Sequence, residues 1–217
     1  MSHQEIVSVR IPVGSVVVAG DLTVPSGAKG VVLFAHGSGS SRFSPRNKYV
    51  AKIFNSQKIA TLLFDLLTDV EDQEDIETGA FRFNIPLLAE RLIGATEWLR
   101  KDPQTKNCPF GYFGASTGAA AALIAAAKLP NEIATVVSRG GRPDLAADYL
   151  PRVAAPTLLL VGGLDTEVIE LNRQAMEQMS AEKKLVIVPG ATHLFEEPGK
   201  LEEVAKIATN WFLDYLK

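Results

Sequence analysis

A hydroxyl attacks a carbonyl at neutral pH when a base takes its proton and a carboxylate holds the base. The 217-residue sequence offers one such set. Gly114-Ala115-Ser116-Thr117-Gly118 fits G-x-S-x-G, between the apolar run Phe110–Phe113 and an alanine-rich helical stretch ending near Leu129. A sharp strand-to-helix turn of this kind lifts its serine above the sheet, at a helix N-terminus that favours negative charge. The plainer reading of Ser116 is a helix cap. Of three histidines, His3 lies in the N-terminal tail and His36 ends a buried run, where a structural hydrogen bond suits it. His193, in Pro189-Gly190-Ala191-Thr192-His193, follows the last apolar run, where loops of open α/β sheets hold ligands. Its plainer reading is a surface-loop histidine. Asp165 follows Val161-Gly162-Gly163-Leu164 and reads either as the acid partner of His193 or as a helix N-cap. Ser116, Asp165 and His193 each follow a different strand, in the chain order this chemistry takes on α/β sheets. Asp65, at another strand end, is the substitute acid.

An acyl-transfer site also needs two N–H donors for the developing oxyanion. Thr117 supplies one from the residue after the nucleophile. The other is expected from the loop His36-Gly37-Ser38-Gly39-Ser40-Ser41, at Ser38 with Gly39 as the fallback. That loop lacks the G-K-[ST] ending of a phosphate cradle and the spacing of a dinucleotide fingerprint. Arg42 and Arg46 follow it. Arg139 and Arg142 follow the run Ile133–Val137. At the rim of the sheet these guanidinium groups, Arg139, Arg142 and Arg42 foremost, either hold an anionic substrate group or pair with the protein's own carboxylates. The acidic run from Asp69 to Glu77 reads as a solvated loop, or as a gate together with Phe81 and Phe83. Three histidines and one cysteine show no metal-ligand spacing, and no cofactor is called for.

Positioning such a site takes a scaffold, and the pattern supplies one. Val7, Val9 and Ile11 alternate with polar residues before a turn at Pro12-Val13-Gly14 and a second strand, Val16–Val24. Continuous apolar runs follow at Val31–Ala35, Ile59–Phe64, Phe110–Phe113, Ile133–Val137, Thr157–Val161 and Leu185–Val188, as parallel strands buried on both faces read. Helical patterns lie between them: Ser44–Phe54, the face Leu88, Leu92, Ala95 and Leu99, Thr117–Leu129, Glu167–Met179, and the stripe Leu201, Val204, Ala208, Trp211 and Tyr215. The expected architecture is α/β: a mostly parallel sheet with an N-terminal antiparallel hairpin and helices on both faces. Fewer than about twenty residues separate the sixth and seventh strands, too few for a lid domain. Residues 1–217 read as a single domain of ordinary size.

Net charge is −3, so no basic nucleic-acid surface is expected. No apolar stretch is long enough to span a membrane. A lone Cys108 and an N-terminal segment without a long apolar run fit a reducing, cytoplasmic setting. Oligomeric state has no sequence signal here.

Together the His-Gly loop, Gly-Ala-Ser-Thr-Gly, Gly-Gly-Leu-Asp and Gly-Ala-Thr-His resemble the α/β-hydrolase superfamily, and the lidless chain most resembles its dienelactone-hydrolase-like branch. The resemblance implies an eight-stranded sheet and a Ser–Asp–His triad on Ser116, Asp165 and His193. It also implies a departure: dienelactone hydrolases use a cysteine nucleophile, whereas position 116 is serine and Cys108 precedes the strand. The expected activity is cleavage of a small-molecule carboxylic ester, thioester or lactone through an acyl-enzyme. Acyl transfer from the same intermediate, or a non-catalytic small-molecule binder on the same fold, are the alternatives.

Overall fold

The computed structural model describes residues 5–217, so His3 lies outside the described residues. Strands β1 (Ile6–Val13) and β2 (Val16–Thr23) form the hairpin, turning at Gly14 with a φ of 57°. Then come β3 (Gly30–Ala35), α1 (Pro45–Ser56), β4 (Ile59–Phe64), α2 (Asp69–Thr78) and α3 (Ile85–Leu99). The chain continues through β5 (Phe110–Ala115), α4 (Thr117–Lys128), β6 (Ile133–Arg139) and a 3₁₀ segment, Pro143–Arg152. It ends with β7 (Thr157–Gly162), α5 (Thr166–Gln178), β8 (Lys183–Val188) and α6 (Lys200–Tyr215). One eight-stranded sheet results, in the order β1-β2-β4-β3-β5-β6-β7-β8. β2 is antiparallel to β1 and β4, and the remaining pairs are parallel.

Every residue of β3, β4, β5 and β7 is buried, which explains their uninterrupted apolar runs. Alternate side chains serve two cores. Val31 and Leu33 face the side that holds α3 and α4, while Val32 and Phe34 face α1 and α6. On the α1/α6 side, Phe34, Phe54, Phe113 and Phe212 interlock with ring centroids 4.9–5.7 Å apart. The stripe on α6 is there because Val204, Ala208 and Phe212 are fully buried in that core. α4 is alanine-rich and lies in the other core, where every residue from Ala119 to Ala126, Leu123 and Ile124 among them, is buried.

Two expectations change. The acidic run is a helix, α2, opened by a capping box: Thr68 Oγ1 accepts the Glu71 N–H at 3.2 Å and Glu71 Oε2 accepts the Thr68 N–H at 2.8 Å. Gly79, at φ 69°, closes it. The reading as a loop failed because Asp75 is the helix's one buried residue, so no apolar stripe betrays it. Secondly, β6 runs on to Arg139, which is therefore a strand residue and not part of a rim loop. The β6–β7 connection holds the short 3₁₀ segment, whose Ala146 and Leu150 pack against the core beside α4. No helix among the described residues is long and apolar enough to cross a membrane.

Candidate active site

Ser116 stands between β5 and α4 with φ 51° and ψ −122°, a region that L-residues avoid. It occupies the N-cap position, yet its hydroxyl makes no capping hydrogen bond. Two close approaches force the turn to be sharp. A Cβ on Gly114 would come within 2.4 Å of Ala119 Cα, and one on Gly118 within 2.2 Å of the Ala35 carbonyl. Glycine is therefore required at both ends of the pentapeptide. The strained backbone is held by its neighbour strand: Ser116 N–H donates to the Arg139 carbonyl at 3.3 Å, and Arg142 N–H donates to the Ser116 carbonyl at 3.1 Å.

Asp165 and His193 meet. Asp165 Oδ2 lies 2.6 Å from His193 Nδ1. The two loops are joined before either side chain is reached: Gly163 N–H donates to the Val188 carbonyl at 2.8 Å and Leu164 N–H to the Ala191 carbonyl at 2.9 Å. Asp165 also sits at an N-cap, of α5, and it too leaves the cap unmade, with its carboxylate turned to the imidazole instead. The imidazole edge lies against the end of β6: a Cβ on Gly140, the residue after that strand, would stand 3.6 Å from His193 Cε1. The His193 side chain keeps 39% of its surface exposed and Asp165 16%. Among the described residues the Ser116 hydroxyl makes no hydrogen bond, to His193 or to any other group. In ligand-free sites such contacts are often long and tighten with substrate.

The loop after β3 lies against the serine, with a Cβ on Gly37 reaching within 3.0 Å of Ser116 Cβ. His36 holds this loop in place. Its Nε2 accepts the Leu66 N–H at 3.1 Å, so the proton is on Nδ1, 3.0 Å from the Gly37 carbonyl. Burial pushes the His36 pKa below its usual value, against the Gly37 carbonyl and the carboxylates of Asp65 and Asp72, which raise it. Ser38 N–H, expected to be free for an oxyanion, donates to Thr117 Oγ1 at 3.0 Å. The Ser38 and Thr117 hydroxyls also lie 3.0 Å apart.

The arginines part ways. Arg42 is spent on Asp65, through its backbone N–H at 2.8 Å and through its guanidinium, with Asp21 at 3.8 Å. Asp65 is thereby committed to Arg42. Arg142 grips Asp144 with two bonds, at 2.9 and 2.7 Å, which raise its pKa. Arg46 pairs with Glu196 at 2.5 Å. Arg139 is buried, with 6% of its surface exposed. An unforeseen clamp lies beside the loop: Asp75 accepts the N–H groups of Phe81 and Arg82 at 2.7 and 2.8 Å, and Arg82 Nε at 2.8 Å. Burial opposes the charge on Asp75, but the two N–H groups and the guanidinium hold its pKa below the usual range. This clamp fixes the turn whose Arg82 carbonyl accepts the Ser38 hydroxyl at 3.3 Å. The acidic run gave no sign of which carboxylate turns inward. Among the described residues no three His, Cys, Asp or Glu side chains gather as a metal site.

Residues 50–217 match the family model described as the dienelactone hydrolase family. A crystal structure of a dienelactone hydrolase from Anabaena variabilis is 55% identical, superposes with a TM-score of 0.98, and covers 100% of both chains. Est1E from Butyrivibrio proteoclasticus shares the fold at 15% identity, with a TM-score of 0.79 over 96% of this chain and 98% of that one. A curated protein of Mycobacterium tuberculosis, provisionally named a phosphoribosyl transferase, is 56% identical over 208 residues. The match takes in 96% of this chain but 46% of the relative, so the chain spans about half the length of that protein. By its sequence and its eight-stranded architecture, the chain belongs to the dienelactone hydrolase family, a family of hydrolases on the α/β-hydrolase fold.

Proposed function

We propose that the protein is a serine hydrolase that cleaves a carboxylic ester, thioester or lactone through an acyl-enzyme on Ser116. The observation that carries this reading is the pair of unmade caps. Ser116 and Asp165 both stand at helix N-termini, where serine and aspartate ordinarily bond the first turn. Both decline that bond, and Asp165 gives its carboxylate to His193 at 2.6 Å. A backbone held in the sparsely populated region at Ser116 adds a local cost that a merely structural serine would not need.

In this mechanism His193 Nε2 takes the Ser116 proton as Oγ bonds to the carbonyl carbon. Asp165 keeps the other proton on Nδ1 and stabilises the imidazolium. The carbonyl oxygen, now negative, is met by the Thr117 N–H at the start of α4. The Ser38 N–H joins it by exchanging its bond to Thr117 Oγ1 for one to the oxyanion. Collapse expels the alcohol, thiol or ring oxygen, which takes the proton from His193. Water then attacks the acyl-enzyme, gives its proton to His193, and the proton returns to Ser116 as the acid leaves.

Acyl transfer to an alcohol or amine would follow the same first half, and the acceptor that resolves the intermediate decides between them. The transferase name of the Mycobacterium tuberculosis relative belongs to a protein more than twice the aligned length. For this chain, membership of a hydrolase family over residues 50–217 favours water as the acceptor. The reading is tested by rapid mixing with a p-nitrophenyl ester. A burst of nitrophenolate equal to one equivalent of enzyme is expected, followed by slower turnover, and Ser116→Ala removes both. Full turnover by Ser116→Ala would overturn the assignment.

A further inference from the structure

Arg139 sits among neighbours that leave its charge unanswered. Its side chain projects from the end of β6 toward α1, where Nη2 finds Asn47 Oδ1 at a long 3.5 Å. Nε and Nη1 are buried without a partner among the described residues, as is Nε of Arg46 one position before Asn47. The neighbouring charge, Arg46, is also a cation. Burial first, and Arg46 second, lower the Arg139 pKa to about 10, which leaves the group charged at neutral pH. Among the described residues no carboxylate pairs with it. Glu196 serves Arg46 from the solvent side, in a groove of about 310 Å³ that Tyr49 and Phe195 help to line. Proteins seldom bury a guanidinium without an anion beside it, because all five of its N–H groups donate and none can be surrendered.

We propose that Arg139 and Arg46 form a binding site for a small oxyanion, a carboxylate or phosphate group, held against Asn47 in the first turn of α1. Two guanidinium groups with unfilled N–H donors provide the forked geometry such anions take. The α1 N-terminus, where Ser44 caps Asn47 N–H at 3.3 Å, adds a favourable dipole. The site is distinct from the Ser116 hydroxyl but adjacent to it, since the Arg139 carbonyl carries the Ser116 N–H. The oxyanion is either the charged end of the substrate or a free anion that steadies the strand behind the nucleophile.

Titration calorimetry and thermal melting with inorganic phosphate test the proposal on the whole protein, independently of any esterase activity. Saturable binding and a raised melting temperature are expected. Arg139→Met should weaken binding roughly tenfold to a hundredfold. Asn47→Asp guards against a misfolded Arg139 variant, because it places a carboxylate where the anion would sit. It should melt higher than wild type without phosphate and lose the response to it. No saturable binding by wild type, unchanged affinity in Arg139→Met, or an unchanged phosphate response in Asn47→Asp would each overturn the site. Hydrolysis of a matched pair of p-nitrophenyl esters, one carrying a carboxylate and one neutral, then separates the two sources. Phosphate that raises KM for the carboxylate ester alone and leaves kcat unchanged occupies the place of the substrate's charged end, whereas phosphate that binds without competing with the carboxylate ester is the free-anion case.

Discussion

At the scale of residues, the division of labour among carboxylates is the most discriminating feature. Asp165 answers a histidine and Asp65 answers an arginine, although both end strands on the same rim. Asp165→Asn is expected to fold normally and to lose on the order of 10³–10⁴ in kcat on an activated ester, because the imidazole is no longer held in the required tautomer. Asp65→Asn frees Arg42 and should leave kcat within about tenfold, since its ion pair is partly solvated and acts at a distance from the reacting atoms. Measured side by side, a reversed order would make Asp65 the acid. The sequence already marked Ser116, Asp165 and His193 as candidates, since each follows its own buried run. The fate of the arginines was not legible. Arg42 finds Asp65 and Asp21 across 23 and 21 positions, partners that only the sheet order brings together. Arg142 finds Asp144 two positions on, a pairing that proximity alone could have suggested. Arg139 looked like a rim residue because polar residues after an apolar run mimic a loop.

At the scale of elements, burial decided what could be read. Strands β3, β4, β5 and β7 announce themselves because both faces are buried. Helix α2 does not, being acidic and largely exposed. Its signature was local: Thr68 and Glu71 at capping-box spacing, with Gly79 at the close. That box also ties α2 to α3, since Glu71 Oε1 pairs with Arg91 at 2.7 Å. Thr68→Ala should therefore cost about 1 kcal/mol. In a chain of this length that is roughly 2–4 °C in melting temperature. Calorimetry checks the figure, and an unchanged transition would mean that α2 contributes little to the cooperative unit.

At the scale of the whole molecule, strand–helix alternation after an opening hairpin was enough to name the fold class. The order β1-β2-β4-β3-β5-β6-β7-β8 was not, because strand neighbours are chosen by crossovers that leave no periodic trace. That order puts the loops after β3, β5, β7 and β8 at one end of the sheet, where His36, Ser116, Asp165 and His193 reside. His36 links this arrangement to overall stability. Its folded pKa lies below that of the unfolded chain, near about 6.5. Over that interval the unfolded chain binds more protons, so stability rises with pH. The His36 contribution is complete above about pH 6.5 and is lost as the pH falls toward the folded value. Wild type should thus melt lower at pH 5.5 than at pH 7.5, and His36→Gln should show a smaller drop over the same interval. An equal drop in both proteins would remove His36 from the account.

The central claim is that Ser116 is an activated nucleophile. A fluorophosphonate reports this without knowledge of the substrate, since it reacts with serines that a base has readied for attack. Intact-mass and peptide spectrometry of the treated protein should show one adduct, located on Ser116, absent from Ser116→Ala and greatly slowed in Asp165→Asn. An adduct on another serine, or equal labelling of wild type and Ser116→Ala, would contradict the account.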